Sequence, residues 1–295
     1  MPVSENKKIQ VFKKFLYWFF LKDLLCLLKS PKEFIRYKKY RIKYLFTPPR
    51  TEEEKAYAAL GENGISPYPY RWRREYDIRT YPVAIGTNGL PYVVHQGKRL
   101  YFKRNMRDYT QWTYKHLLIE QDKRSAHCYI NTYDELKGKI LLDIGAAEGI
   151  FTLNAIEQIS HAYLFECDEE WIEALEATFA PWKEKITIVR KYVSDTDEGD
   201  YITLDRYFQE TASGKRFFLK MDIEGYERKA LKGAQQLLKQ ADVSGAVCLY
   251  HRKDDKEVIQ KICAENGFET SIRPNFLYIE NEMRPGVLNF YREKK

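Results

Sequence analysis

The chain has few cysteines, and they are scattered. The five lie at positions 26, 128, 167, 248 and 263, and no two of them form a C-x-x-C pair. An odd, dispersed set of this kind argues against a disulfide framework and against a zinc site. We therefore expect a cytoplasmic protein whose fold needs neither.

The sequence also lacks an apolar run long enough to cross a bilayer. The richest stretch, FLYWFFL at 15–21, meets Lys22 and Asp23 before it continues as LLCLL. This makes about fourteen residues interrupted by two charges, whereas a spanning helix needs roughly twenty apolar residues. No small-residue cleavage site follows it, so we expect neither a transmembrane helix nor a signal peptide.

Basic charge is concentrated at the N-terminus. Residues 1–50 hold thirteen Lys and Arg against three acidic residues, a net charge of +10, whereas the whole chain has a net charge of +7. The remainder is therefore slightly acidic, and a general nucleic-acid-binding surface is not indicated. Because this basic segment is also rich in Phe, Leu and Tyr, it predicts one or two helices. They either form a peripheral contact with anionic lipid or pack on the main domain.

The composition changes twice along the chain, which predicts three parts, 1–50, 51–115 and 116–295. The length allows one large α/β domain with an appendage. In the middle part we expect a short polar helix over 52–61 and a β-hairpin over 90–104 with a Gln-Gly turn. Its interleaved aromatic and arginine residues suit either contact with a sugar ring or an anionic group or, more simply, the core of a small β-layer.

From residue 116 onward, short apolar runs alternate with helical stretches. The apolar runs are KILLDI, HAYLFE, ITIVRKYV, RFFLKMDI and GAVCLYH, and the helical stretches are FTLNAIEQI, EEWIEALEATF, YERKALKGAQQLL and DKEVIQKICAENG. Buried strands separated by helices are typical of a mostly parallel sheet covered on both faces. The last two runs, NFLYIE and GVLNFY, flank a short Pro/Gly turn. We therefore expect a doubly wound, Rossmann-like α/β fold with a C-terminal antiparallel hairpin and an N-terminal helical and β-hairpin extension.

The stretch LLDIGAAEGIF at 141–151 lies where the first strand of such a sheet turns into its helix. Ligands of doubly wound sheets bind there, beyond the carboxyl ends of the strands. Gly145 permits a sharp turn, and Gly149 lets the helix approach a ligand without an intervening Cβ atom. Glu166 ends the next strand 21 residues after Gly145, a separation at which an acid accepts both ribose hydroxyls. We therefore expect a ligand that contains adenosine.

Two ligands compete for this loop. A dinucleotide requires G-x-G-x-x-G, but the second and third glycine positions hold Ala147 and Ile150. An acid, Asp143, precedes the first glycine by two residues. A carboxylate there repels a pyrophosphate but accepts hydrogen bonds from an ammonium, and S-adenosylmethionine carries an ammonium, a sulfonium and no phosphate. The pattern favours S-adenosylmethionine, with an NAD-dependent oxidoreductase as the alternative.

A further element, FLKMDIEGYERKALKGA at 218–234, places Lys220 and Asp222 on one face of a strand at its carboxyl end. Together with DIGAAEG, FECD and TLDRYF, its K-x-D-x-E-G-x-E pattern resembles the FkbM-type family of class I S-adenosylmethionine-dependent methyltransferases. The LYHRKDD stretch at 249–255 is also similar to that family. The resemblance covers 139–290 and is densest over 139–233.

The resemblance implies an O-methyltransferase with a seven-stranded methyltransferase sheet. Relatives modify hydroxyls on sugars, polyketides and other secondary products. By position, the cofactor would contact the glycine loop, the ends of the second and fourth strands and the residues after the third. These predicted cofactor residues are Asp143, Gly145, Ala146, Ala147, Glu148, Gly149, Glu166, Cys167, Asp168, Tyr192, Val193 and Asp222. The family tolerates Ala147, which makes the loop slightly tighter.

A sugar hydroxyl is a weak nucleophile, so a general base within hydrogen-bond reach accelerates its methylation by roughly 10²–10⁴-fold. The candidates Asp222, Glu224 and His251 follow the fourth and fifth strands. We predict that His251 is the base, because its ordinary pKa of about 6.5 suits proton transfer at neutral pH, and that Asp222 orients it or the substrate. His127 is a second possibility. Asp222 and Glu224 are alternatively ligands of a divalent cation, but no dense carboxylate cluster supports one and we predict no metal site.

The residue pattern determines the acceptor less closely than it determines the cofactor. A sugar of a surface polysaccharide or of its lipid-linked precursor suits both the aromatic and arginine residues and an N-terminus near the membrane. A rival of another class is a non-catalytic, membrane-docked partner of a glycan assembly complex. The intact set of Asp143, Gly149 and Glu166 argues against it, since a domain without chemistry need not keep all three. No oligomeric state is indicated.

Overall fold

The structure is a computed structural model that describes residues 31–293. Its contacts group the chain into two compact units, residues 1–72 and 73–295. The first thirty residues, which include FLYWFFL, lie outside the described part, so the membrane contact expected there stays a prediction. The division of the chain at residues 50 and 115 also stays a prediction.

Two helices form the described part of the first unit, α1 (Pro31–Phe46) and α2 (Glu52–Asn63). The hydroxyl of Thr51 caps α2, because it accepts the N–H of the third helical residue at 3.1 Å. The helices contact each other closely at Gly61, where a Cβ atom would lie 2.7 Å from the Arg41 nitrogen. No helix in the described part of the chain combines the length and the apolar character needed to cross a membrane.

The second unit begins with a small antiparallel sheet and a helix. These elements are β1 (Val83–Ile85), β2 (Pro91–His95), β3 (Lys98–Tyr101) and α3 (Thr110–Glu120). The predicted hairpin is confirmed as β2 and β3. Its turn residues Gln96 and Gly97 have φ values of +49° and +80°, as a two-residue type I′ turn requires. The helix α3 was not predicted.

The remaining elements alternate along the chain. The strands are β4 (Ile140–Ile144), β5 (His161–Phe165), β6 (Ile186–Val189), β7 (Tyr192–Val193), β8 (Tyr201–Ile202), β9 (Arg216–Met221), β10 (Asp242–Cys248), β11 (Glu269–Ile272), β12 (Leu277–Ile279), β13 (Glu282–Arg284) and β14 (Val287–Tyr291). The helices are α4 (Ile150–Ala155), α5 (Glu169–Phe179), α6 (Leu204–Phe208), α7 (Glu227–Lys232), α8 (Gln235–Gln240) and α9 (Asp255–Glu265). Short 3-10 turns occur at Arg71–Glu75, Ile78–Thr80, Arg104–Met106, Tyr133–Leu136 and Ala180–Lys185.

Seven strands form the main sheet in the order β11-β14-β10-β9-β4-β5-β6. The strands from β10 to β6 run parallel to one another, whereas β14 is antiparallel to both of its neighbours. The chain proceeds outward from β4 in one direction through β5 and in the other through β9. Ligands bind at such a topological switch point in doubly wound sheets. The predicted α/β, doubly wound, Rossmann-like sheet is confirmed.

Both faces of this sheet are buried, as its apolar runs predict. Successive residues of β4 point to opposite faces, and Leu141 packs in one hydrophobic cluster while Leu142 and Ile144 pack in the other. All three side chains are fully buried. The strand ends are therefore held rigidly, which fixes the residues that follow them.

The C-terminal hairpin is antiparallel as expected, but other residues form it. We expected NFLYIE to pair with GVLNFY. Instead β12 pairs with β13, and β14 pairs with β11 and β10. The reason is a tight turn at Glu280 and Asn281, whose φ values are +48° and +73°. This turn reverses the chain before the second run begins.

Two predicted elements are each split. The ITIVRKYV run ends in the main sheet at Val189, and Tyr192 then begins β7, which pairs with β8 instead. The helix predicted for YERKALKGAQQLL divides into α7 and α8 at Gly233, where the chain passes so close to Ser194 that a Cβ atom would lie 2.0 Å from the Ser194 carbonyl oxygen. In each case a close approach of two chain segments overrides the local pattern.

Candidate active site

A cavity of about 520 Å³ opens where β4, β5 and β9 end. It is lined by Ile144, Gly145, Ala147, Phe165, Glu166, Cys167, Asp168, Trp171, Lys191, Tyr192, Val193, Tyr201, Asp222, Ile223, Glu224 and Tyr226. Eight of the predicted cofactor residues are among them, and Asp143, Ala146, Glu148 and Gly149 are not. The fold thus brings together residues from four separate strand ends at one concave surface.

The glycine loop turns sharply beneath this cavity. Gly145 has a φ of +78°, and a Cβ atom on it would lie 2.0 Å from the carbonyl oxygen of Asp222. Only glycine fits there, because both the backbone conformation and the space exclude a side chain. Ala147 also has a positive φ, +47°, so the departure from glycine places a strained residue in the loop.

Glu166 is the most fixed acidic group of the cavity. Its Oε2 accepts the N–H of Ala147 at 3.0 Å, and its Oε1 accepts the N–H groups of Cys167 and Asp168 at 2.8 and 3.0 Å. These three bonds tie the end of β5 to the glycine loop. These bonds occupy three of the roughly four lone-pair sites of the carboxylate, so about one site, on Oε2, is left for a hydroxyl group of a ligand, and binding it needs little reorganisation.

Asp168 borders the same end of the cavity, but its carboxylate already has partners. It caps α5 through the N–H of Glu170 at 2.9 Å and forms an ion pair with Lys103. The hydrogen bond from Lys103 lowers the pKa of Asp168. Lys103 also lies over the ring of Trp171, 4.8 Å from its centroid. The ion pair of Asp168 with Lys103 and the ring of Trp171 therefore border this end of the cavity.

Asp143 does not reach the cavity, contrary to its predicted role. It is fully buried, and its two oxygens contact Lys220 Nζ at 3.0 Å and the Thr152 hydroxyl at 2.6 Å. Although burial opposes it, the charge of Asp143 raises the pKa of Lys220, which also donates to the Gly145 carbonyl oxygen. The acid before the loop is thus an internal counter-ion that fixes the loop through Lys220.

Gly149 also differs from its predicted role of admitting a ligand. A Cβ atom there would lie 2.7 Å from Leu175 and 2.8 Å from Phe179, both on α5. Its φ of +79° marks the residue that precedes α4. These contacts require a glycine where α4 packs against α5, and Gly149 does not line the cavity.

Asp222 is the centre of a buried hydrogen-bond network. Its two oxygens accept the hydroxyl groups of Tyr129 at 2.8 Å and Tyr250 at 2.9 Å. His127 belongs to the same network, with Nε2 3.0 Å from the Tyr250 hydroxyl and 3.4 Å from Asp222. Burial alone would raise the pKa of Asp222, but its bond to His127 and the positive charge of Lys220 hold it far below its usual value. Asp222 is therefore ionised and a poor proton acceptor.

His251 is held by Glu227, not by Asp222 as predicted. Its Nδ1 lies 2.8 Å from Oε1 of Glu227, a fully buried carboxylate that also accepts the N–H of Ile223 at 2.9 Å. The other ring nitrogen, Nε2, is buried without a hydrogen-bond partner among the described residues, 3.5 Å from Asp222 and 3.6 Å from Glu224. Burial lowers the pKa of His251, but the hydrogen bond to Glu227 and the negative charges of Glu227, Asp222 and Glu224 together raise it.

Glu227 was missed although it lies in the pattern that carried the resemblance. It is the last acid of K-x-D-x-E-G-x-E, and a glutamate in the first turn of a helix is ordinarily explained by the helix dipole. Its position gave no distinct signal, because Glu227 is simply the first residue of α7 after the turn that follows β9. Its partner His251 lies 24 residues away, and only the fold reveals the pairing.

A second cavity, of about 160 Å³, adjoins the first. It is lined by Leu117, Glu120, Gln121, Tyr129, Gly145, Ala146, Ala147, Glu148, Ile150, Phe151, Lys220, Asp222 and Glu224. Gly145, Ala147, Asp222 and Glu224 line both cavities. Glu224 has an almost fully exposed side chain and a φ of +54°, so it stands at the opening that the two share.

Two clusters among residues 31–293 have the composition of a metal site. Asp222, Glu227 and His251 form one, and His127, Asp222 and Cys248 form the other, with ligand atoms within 4.8 Å of one another in each. Hydrogen bonds within the protein already engage most of these atoms. Lys220 also lies beside Asp222, and its charge disfavours a second cation.

The seven-stranded order, with an antiparallel β14 between β10 and β11 and a carboxylate at the end of β5, defines an α/β methyltransferase-like fold. A model of the FkbM methyltransferase domain matches residues 51–286. The chain therefore belongs to the FkbM methyltransferase family. The match begins well before 139, where the motifs alone placed the start of the resemblance.

Several solved structures are similar to this chain at low sequence identity. Methyltransferase FkbM of Methylobacillus flagellatus is 17% identical, with a TM-score of 0.42 over 61% of this chain and 53% of its own. SMU.1697c of Streptococcus mutans, in complex with SAH, is 10% identical, with a TM-score of 0.40 over 60% of this chain and 97% of its own. The chain thus spans about half the length of the first of these. Among curated proteins, none matches.

Proposed function

We propose that the protein is an S-adenosylmethionine-dependent O-methyltransferase that acts on a sugar hydroxyl. The observation that carries the cofactor assignment is Glu166, whose carboxylate three backbone N–H groups hold at the large cavity. An acid at the end of the second strand is suited to accept a ribose hydroxyl. The cavity volume of about 520 Å³ also lies within the usual range for small-molecule sites.

The bound cofactor supplies a methyl group on a sulfonium, a carbon already activated for displacement. The protein's main task is then alignment, which contributes on the order of 7–11 kcal/mol in favourable cases. The rigid ends of β4, β5 and β9 meet this requirement. Gly145 and Asp222 keep these ends in contact, since the Asp222 carbonyl oxygen occupies the place of a Gly145 side chain.

His251 is the proposed general base, and Glu227 orients it. His251 lines neither cavity, but its Nε2 lies 3.5 Å from Asp222 and 3.6 Å from Glu224, which line both. With Nδ1–H donated to Glu227, the neutral ring presents Nε2 as the acceptor of the hydroxyl proton. Asp222 is a poor base because its pKa is depressed, but its charge stabilises the imidazolium that forms. Glu224 stands at the shared opening, where it is placed to accept a hydrogen bond from the sugar.

The acceptor assignment is supported by tyrosines at the cavity. Tyr192, Tyr201 and Tyr226 line it, and their side chains are partly exposed. Aromatic rings with an apolar face and a polar hydroxyl suit a sugar, which presents C–H groups and hydroxyl groups together. On this basis we propose a sugar of a surface polysaccharide or of its lipid-linked precursor.

Peripheral membrane contact at the cytoplasmic face is part of this proposal, and α1 supports it. Ile35, Ile42 and Phe46 recur on this helix with 65%, 57% and 79% of their area exposed. Lys39 and Lys43 are exposed beside them. Exposed apolar side chains among lysines are typical of helices that lie in the interface of an anionic membrane. Pelleting with liposomes that contain anionic lipid tests this, with and without residues 1–50.

The decisive experiment is calorimetric titration with S-adenosylmethionine and S-adenosylhomocysteine. We expect micromolar binding that Glu166→Gln weakens by about tenfold or more, because the neutral amide loses charge-assisted bonds to the ribose. Glu184→Gln, an exposed change of the same kind, is the control and should bind as the wild type does. Binding of NADH instead would establish the oxidoreductase alternative.

An acceptor screen of glycans then separates an enzyme from a non-catalytic partner of an assembly complex. We expect His251→Asn to lose turnover while it binds S-adenosylhomocysteine within a few-fold of the wild type. Wild-type rates in this variant would refute the base assignment. Loss of activity on exhaustive EDTA treatment, restored by a divalent cation, would instead establish metal assistance by Asp222 and its neighbours.

A further inference from the structure

Glu148 is a buried carboxylate that the proposed chemistry leaves without a role. It lies in the glycine loop, is 7% exposed and lines the small cavity. Within residues 31–293 no Lys, Arg or His approaches it within ion-pair distance, and the bond to its carboxylate comes from its own backbone N–H. An ionised group in such a place is costly unless a cation joins it.

The charged groups near Glu148 make an ionised carboxylate at this position still more costly. Glu120, at the end of α3, adds a second negative charge to the same cavity. Lys220, on β9, is committed to Asp143 and to the Gly145 carbonyl oxygen. Burial raises the pKa of Glu148 to about 8, and the charges of Glu120 and Asp143 act in the same direction, whereas Lys220 lowers it. The small cavity is thus complementary to an added cation.

We propose that Glu148 binds the α-ammonium group of the cofactor's methionine half, a role that the sequence pattern had given to Asp143. The inference rests on the proposed function, because it names the subsite of that cofactor. The two cavities share Gly145 and Ala147, and Glu166 stands at the large one. In this proposal, a ligand whose ribose meets Glu166 directs its amino-acid end across the loop into the small cavity.

The test pairs one substitution with one change in the ligand. Glu148→Gln and wild-type protein are titrated with S-adenosylhomocysteine and with its α-deamino analogue, which keeps the adenosine, the thioether and the carboxylate. A third ligand, 5′-methylthioadenosine, lacks the whole amino-acid half and reports whether the adenosine site is intact. Glu184→Gln is again the exposed control.

We expect wild-type protein to prefer S-adenosylhomocysteine over the deamino analogue by about 10- to 100-fold, the range of a hydrogen bond between charged groups. In Glu148→Gln this preference should collapse to a few-fold, while 5′-methylthioadenosine binds as before. The two changes are then strongly non-additive, which is the signature of direct contact.

Other results overturn the inference in distinguishable ways. A preference that persists in Glu148→Gln shows that another group holds the ammonium, and the proposed function stands. Equal loss of all three ligands shows that Glu148 only shapes the loop. If wild-type protein binds none of the adenosine ligands, the proposed cofactor is wrong, and the proposed role of Glu148 is refuted as well.

Discussion

The pair formed by Lys220 and Asp143 gives a quantitative prediction for stability. Their side chains are 6% and 1% exposed, and the charged atoms lie 3.0 Å apart. Lys220→Met keeps the volume but leaves the buried Asp143 carboxyl without its counter-ion, with only the Thr152 hydroxyl as a partner among the described residues. Removing one member of a buried pair costs about 3–5 kcal/mol, a large fraction of the roughly 5–15 kcal/mol that stabilises a typical protein.

The double variant Asp143→Asn/Lys220→Met should recover most of this loss, because a buried pair gains little over a neutral one once desolvation is counted. Equilibrium unfolding in urea, followed by circular dichroism and tryptophan fluorescence, measures both variants. Lys253→Met removes an exposed pair with Glu282 and is the control, with an expected cost under about 1 kcal/mol. A loss in Lys220→Met as small as in this control would refute the argument.

Two further predictions concern the base and the loop. Glu227→Gln should lower the pKa of His251, because the hydrogen bond to Glu227 helps to raise that pKa. The rise of kcat/KM with pH then shifts to lower pH. An unchanged pH profile would show that Glu227 does not act through His251. Gly149→Ala should destabilise the fold by about 1–3 kcal/mol through overpacking while S-adenosylhomocysteine affinity stays within a few-fold, measured by thermal unfolding and calorimetry. Gly199→Ala is the control, because Gly199 also has a positive φ but lies in open space, so the difference between the two variants gives the cost of packing. A loss of ligand affinity at unchanged stability would show instead that Gly149 contacts the ligand.

Patterns within short stretches were enough to predict the architecture. The apolar runs that became β4, β5, β9 and β10 are continuous because both faces of the sheet are buried. The position of Glu166 was predicted in the same way. Local signals mark where a strand begins and ends, and they therefore show which residue lies at its end. In contrast, α3 has apolar residues on all sides and gave no periodic signal, although it supplies Glu120 to the small cavity.

The partners of the charged side chains depended on the fold. Tyr129 donates to Asp222 from 93 residues away, and Tyr250 does so from 28. Ion pairing and burial act through space, so the sequence could not show that Lys220 neutralises Asp143 or that Glu227 holds His251. The sequence by itself determined the sheet, its glycine loop and the position of Glu166 at the end of β5, because those depend on neighbouring residues. Only the tertiary structure decided that Lys220 pairs with Asp143 and that no Lys, Arg or His of the described chain lies within ion-pair distance of Glu148, because that depends on residues that folding brings together.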